Sequence, residues 1–212
     1  MKTITCQVES LTSLTPFVYK VLLKPEQPVD FIAGQYLNFV MSDEDKRPFS
    51  IASAPGSDLI ELQIGAFDEN SYAMQVIEHI QANANITVEM PLGNAGLVSN
   101  SERPILLLAG GTGFSYIKSM FEFLAEQKTD RLVVVYWGLR EPSACYELEK
   151  TANSIAKIAN SRFIPVIQNP DENWQGRTGF LHHAAMDDIA SFESYDIYLA
   201  GRFDMVGIFR ED

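Results

Sequence analysis

The sequence predicts a two-domain protein, a small antiparallel β-barrel followed by a doubly wound parallel α/β domain. Three observations predict it. The first hundred residues carry short runs of β-formers separated by turn residues, the pattern of an antiparallel barrel or sandwich. From residue 104 the pattern changes to long apolar runs alternating with helical stripes, the mark of a parallel sheet covered on both faces. Between them lies a polar stretch, NAGLVSNSER, over 94–103. The expected domains are residues 1–98 and 103–212.

The barrel strands are expected in ITCQVESL (4–11), VYKVLLKP (18–25), QYLNFVM (35–41), FSIAS (49–53), LIELQIG (59–65) and ITVEMPLG (86–93). Pro25, Pro28, Gly34, the acidic run Asp43 to Asp45, and Pro55-Gly56 punctuate them. One helix interrupts the series. In SYAMQVIEHIQAN (71–83), Tyr72, Val76 and Ile80, flanked by Ala73 and Ile77, recur at helical spacing. In the second domain PILLLAGG (104–111) is continuously apolar, as a strand buried on both faces must be. FSYIKSMFEFLAEQ (114–127) places Phe114, Ile117, Phe121 and Leu124 on one stripe. Strand RLVVVYWG (131–138), a helix around 146–160, strand RFIPVIQ (162–168), a helix around 180–190, strand DIYLAG (196–201) and a helical start at DMVGIFRED complete the alternation.

Composition narrows the function. Apolar residues make up 46% of the 212, enough for a packed core. The net charge of −12 repels nucleic acid and anionic membrane, so neither is expected as a partner. An anionic ligand must then be drawn by particular basic residues. Cys6 and Cys145 form neither a disulfide framework nor a zinc spacing. His79, His182 and His183 fit no metal pattern and read as surface or helix residues. No apolar leader and no run of membrane-spanning length is present, so the expectation is a cytoplasmic protein.

Ligands of doubly wound sheets bind beyond the carboxyl ends of the strands. GGTGF (110–114), WGLRE (137–141), the loop after Gln168 and AGRF (200–203) end there, and with them Arg140 and Arg202. Strand, then Gly110, Gly111, Thr112 and Gly113, then helix is an arrangement in which backbone N–H groups and helix dipole meet a phosphate. The full G-x-G-x-x-G fingerprint is absent, and no lysine follows as in a Walker loop. In the barrel, KRPFSIAS (46–53) stands out. Pro48 restricts Arg47 to extended geometry and removes a ladder donor. Lys46 and Arg47 offer positive charge, and the Ser50 hydroxyl can donate or accept a hydrogen bond.

RPFS, LLLAGGTGFSY, YWGLRE and YLAGRFDM, in that order across essentially the whole chain, resemble the ferredoxin–NADP reductase superfamily. Within it they are most similar to the bacterial NAD(P)H–flavin reductases, the group that includes those supplying reduced flavin to luciferase. The resemblance implies that Arg47, Pro48, Phe49 and Ser50 line a flavin, with Ser50 near the hydride-accepting N5. It implies that Gly110, Gly111, Thr112, Gly113 and Phe114 bind the pyridine nucleotide, and that Gly201 and Arg202 help hold its nicotinamide half. Hydride would pass from nicotinamide C4 to flavin N5, chemistry carried by the two ring systems.

Reduction of riboflavin, FMN or FAD as a diffusing substrate is expected. In GAFDENSYA (65–73), Asp68 and Glu69 stand where a tightly held FAD would place its pyrophosphate. Arg140 beside Glu141 suits both NADPH and NADH, so use of either is expected. The acceptor of reduced flavin would be a luciferase, a monooxygenase or ferric iron. Two alternatives stand beside this. One is an FAD-holding reductase of an iron–sulfur partner; the other is a flavin- or nucleotide-binding module without turnover. The chain departs from the family pattern twice. PLGNAGL (91–97) lacks a histidine and a tryptophan often present there, and the pattern's last part-helix and strand are missing after Asp212.

Overall fold

In the computed structural model, residues 1–68, 71–202 and 207 are described. The chain divides into one compact unit of Met1–Leu97 with Lys118–Met120, and another of Val98–Ile117 with Phe121–Asp212.

The first unit holds β1 (Lys2–Thr15), β2 (Val18–Pro25), β3 (Tyr36–Val40), β4 (Lys46–Ser50), β5 (Ile60–Gly65) and β6 (Asn85–Leu92), with α1 (Tyr72–Ala82) between the last two. All pairings are antiparallel, in the order β4-β3-β6-β1-β2-β5. Past β4 the chain reaches β5, where Ala52 N–H donates to Glu61 O at 2.7 Å and Glu61 N–H to Ser53 Oγ at 3.1 Å. That contact brings the two ends of the sheet together into a barrel. Its interior packs Val21, Leu23, Leu37, Phe39, Leu62, Ile64 and Val88, and the apolar stripe of α1 (Val76, Ile77, Ile80) closes it. Cys6 is part of this core, and burial, aided by the Glu26 charge, pushes its thiol up to about 11. β5 is buried on both faces; its polar pair Glu61 and Gln63 hydrogen-bond each other at 2.9 Å, with Lys20 3.8 Å from Glu61.

The second unit holds β7 (Ile105–Gly110), α2 (Phe114–Glu126), β8 (Val133–Leu139), α3 (Leu148–Ile155), β9 (Ser161–Ile167), β10 (Arg177–Thr178), α4 (Leu181–Asp188) and β11 (Asp196–Ala200). The sheet is parallel throughout, in the order β10-β9-β8-β7-β11. The chain steps from β7 to β8 to β9, then returns across the sheet to add β11 on the other side of β7. Right-handed crossovers put α4 on the face opposite α2 and α3. Leu106, Leu108, Val134 and Tyr136 pack with α4, while the buried stripe of Phe114, Ile117, Phe121 and Leu124 anchors α2. The reversal of direction falls between β7 and β11, and the carboxyl ends of strands at such a point form a crevice.

α3 is shorter than the helix expected around 146–160. Glu147 precedes it in a left-handed conformation (φ +50), and Ser161 Oγ donates to the carbonyls of Ile155 and Ile158 at 2.9 Å, ending the helical region before β9. β10 has no counterpart in the sequence reading, because two exposed residues carry no periodicity. The helical start expected from Asp204 lies, except for Gly207, outside the described residues, as does Glu69.

The Ser71 hydroxyl caps α1, accepting from Met74 N–H at 3.1 Å. Ser71→Ala is expected to cost about 1 kcal/mol in urea unfolding, with an unchanged denaturant slope.

Candidate active site

In the first unit the residues expected at the site lie on β4, an edge strand of the hydrogen-bonded order, where Pro48 forfeits no ladder bond on its outer side. Successive side chains of a strand point to opposite faces. Arg47 is buried and Phe49 packs on the core, edge-on to Phe39 at 5.6 Å, so these two face inward. Lys46, Pro48 and Ser50 therefore share the outer face. Ser50 is half-buried and pairs across the ladder with Tyr36, whose neighbour Gln35 donates to Gly93 O at 2.9 Å. Tyr36, brought beside Ser50 only by strand register, was not singled out by the sequence.

The two cations of the motif have carboxylate partners. Lys46 Nζ is 2.5 Å from Glu89 Oε1 on β6. Arg47 donates from Nε and Nη2 to Asp45, the shortest contact 2.6 Å, and from Nη2 to Gln75 Oε1 at 2.8 Å. Its Nη1 donates to Tyr72 O at 2.8 Å, and the guanidinium lies 4.4 Å from the Tyr72 ring centroid. Arg47 thus ties the first turn of α1 to β4. The sequence reading offered both charges to a flavin phosphate or ribityl chain; in the structure each is paired with a carboxylate, because alternation aims Arg47 inward and cross-strand register sets Glu89 within reach of Lys46. The hydrogen bond from Arg47, with its charge, holds the Asp45 carboxyl below the usual aspartate range against an opposing desolvation effect.

In the second unit, Gly110 ends β7 and Gly111, Thr112 and Gly113 form a 3-10 turn leading into α2. Gly111 has φ +54. A Cβ on Gly113 would lie 2.5 Å from Ala200 O and 2.8 Å from Gly201 N, so only glycine lets the start of α2 lie against the end of β11. This close approach brings together the glycine turn and the Gly201–Arg202 segment at the reversal point, with Gly201 and Arg202 exposed. Phe114 is fully buried and stacks on Trp137 at 4.0 Å; its ring supports the turn from beneath. Trp137 Nε1 donates to Gly111 O at 3.0 Å, a contact the sequence reading missed. Arg140 is exposed just past β8, and its carbonyl accepts from Asn169 N–H at 2.8 Å. Among the described residues no group of three or more His, Cys, Asp or Glu could hold a metal ion, and no helix is long and apolar enough to cross a membrane.

A barrel followed by a parallel sheet whose reversal point carries a glycine turn is the architecture of the ferredoxin–NADP-reductase-like oxidoreductases. The ferredoxin NADP+ reductase of Neisseria gonorrhoeae, solved with bound FAD and NADP, matches it with a TM-score of 0.83 at 18% identity, over 100% of this chain and 90% of that one. The ferredoxin reductase of carbazole 1,9a-dioxygenase matches with a TM-score of 0.86 at 22% identity, over 99% of this chain; this chain spans 64% of that protein. The oxidoreductase NAD-binding domain family matches residues 107–211. The NAD(P)H-flavin reductase of Vibrio harveyi is 44% identical over 215 residues, covering 99% of this chain and 91% of that protein. The chain belongs to the NAD(P)H-flavin reductase family.

Arg47→Ala is expected to lower Tm by several degrees, because Asp45, Gln75 and the Tyr72 carbonyl lose their shared donor. A depressed carboxyl contributes stability that is full above the ordinary aspartate range and lost as pH falls through the lowered folded value. Asp45→Asn should therefore show a smaller fall in Tm than the parent between neutral and acid pH.

Proposed function

We propose that the chain reduces free flavin with NAD(P)H, that Ser50 serves the flavin, and that the glycine turn at 110–113 serves the nucleotide. The observation that carries this is the 44% identity, along nearly the whole chain, to an NAD(P)H-flavin reductase. Hydride transfer from nicotinamide C4 to flavin N5 is chemistry the substrates themselves supply. The protein's part is to bind and orient. The Ser50 hydroxyl, on the outer face of β4, is suited to donate to N5 of oxidised flavin and to accept from N5–H after reduction. The N–H groups opening α2 are suited to the nucleotide's phosphates, with Arg140 and Arg202 beside them. Gly201 and Arg202 flank the same edge for the nicotinamide half. No side chain is needed as a strong acid or base.

The pairing of Lys46 with Glu89 and of Arg47 with Asp45 supports flavin as a diffusing substrate. A flavin phosphate finds no uncommitted cation on the RPFS strand, so riboflavin is expected to serve at least as well as FMN. Reduced flavin released in this way would serve a luciferase, a monooxygenase or ferric iron, and the use of NAD(P)H suits a cytoplasmic protein.

The test is NADH consumption at 340 nm with added riboflavin on protein freed of small molecules. A rate that saturates with flavin is expected, and Ser50→Ala should lower it on the order of a hundredfold, as removal of one well-placed donor does elsewhere. Yellow colour persisting through gel filtration, with a rate indifferent to added flavin, would instead identify a resident flavin.

A further inference from the structure

We infer that Trp137 is a positioning residue for the nucleotide: its indole N–H turns the Gly111–Thr112 peptide so that the Thr112 N–H faces the ligand edge. This rests on the nucleotide reading of the glycine turn. Trp137 is fully buried, and a buried indole N–H requires an acceptor. The acceptor here is Gly111 O at 3.0 Å. The Gly111–Thr112 peptide is trans, and in a trans peptide C=O and N–H point in opposite directions. A carbonyl drawn toward the indole therefore sends the Thr112 N–H away from the core. That N–H belongs to the opening turn of a helix, where amides lack intrahelical acceptors and the dipole is positive.

The constraint is needed because sterics supply none. Gly111 stands at φ +54, and a Cβ there would meet nothing within 4 Å. Phe114 N–H also donates to Gly111 O, along the helix; the indole supplies the lateral donor. The indole is itself immobilised, stacked on Phe114 at 4.0 Å and met edge-on by Tyr146 at 4.9 Å. The chain of restraint thus runs from two aromatic rings through one N–H to one peptide plane.

ADP-ribose carries the adenosine and pyrophosphate of the nucleotide without the nicotinamide, so its binding reports on this peptide independently of turnover. Calorimetric titration of ADP-ribose and of adenosine compares the parent, Trp137→Phe, and a protein with benzothienylalanine at 137, in which sulfur replaces the N–H at nearly constant shape. Loss of one hydrogen bond to a charged group should weaken ADP-ribose about tenfold in both variants. Adenosine affinity and riboflavin fluorescence quenching should be unchanged, and KM for NADH should rise while KM for flavin stays fixed. Unchanged ADP-ribose affinity in the benzothienylalanine protein overturns the inference, as does an equal loss for adenosine, which would mark a purely structural role. Failure of the parent to bind ADP-ribose overturns the nucleotide reading of the turn, and this inference with it. If Trp137→Phe does not fold, the isosteric variant alone decides.

Discussion

The approach of Gly113 to the carbonyl of Ala200 governs the second unit. A side-chain carbon there would lie 2.5 Å from a backbone oxygen, which neither element could absorb without moving. Because residue 113 has none, the start of α2 and the end of β11 occupy one edge. That contact sets the amides opening α2 beside the exposed Gly201 and Arg202. The apolar strands around it are buried on both faces, so the edge is held by a core rather than by its own loops.

The barrel reaches its arrangement by a different route, through paired charges. Arg47 is buried because four acceptor atoms surround it, two on Asp45, one on Gln75 and one on the main chain of Tyr72. A guanidinium in that position fastens α1, the helix that closes the barrel core. The outer face is left with Pro48, Ser50 and a lysine already committed to Glu89.

Much of this was legible in the sequence because it depends on local spacing. The stripe of Phe114, Ile117, Phe121 and Leu124 is buried as its periodicity required, and VYKVLLKP is a strand over the residues expected. Less legible were features set by register or by distant contact. Period-two alternation divides RPFS between two faces, and which pair faces inward depends on the position of α1. Glu61 and Gln63, polar residues within LIELQIG, are both buried and hydrogen-bond each other. The Trp137 indole reaches Gly111 across a tertiary fold, and no pattern within YWG announces it. Arg131 and Asp196, 2.5 Å apart, likewise meet only because the chain returns across the sheet to add β11 beside β7.

The depth of Cys6 has a consequence for durability. Reduced flavin set free in aerated solution reacts with oxygen and yields peroxide, so a protein of this family works beside the oxidant it helps to create. Peroxide attacks thiolates that it can reach. Cys6 is wholly enclosed by the barrel and its thiol stays protonated at neutral pH. The barrel core is thereby shielded from the chemical by-product of its own turnover.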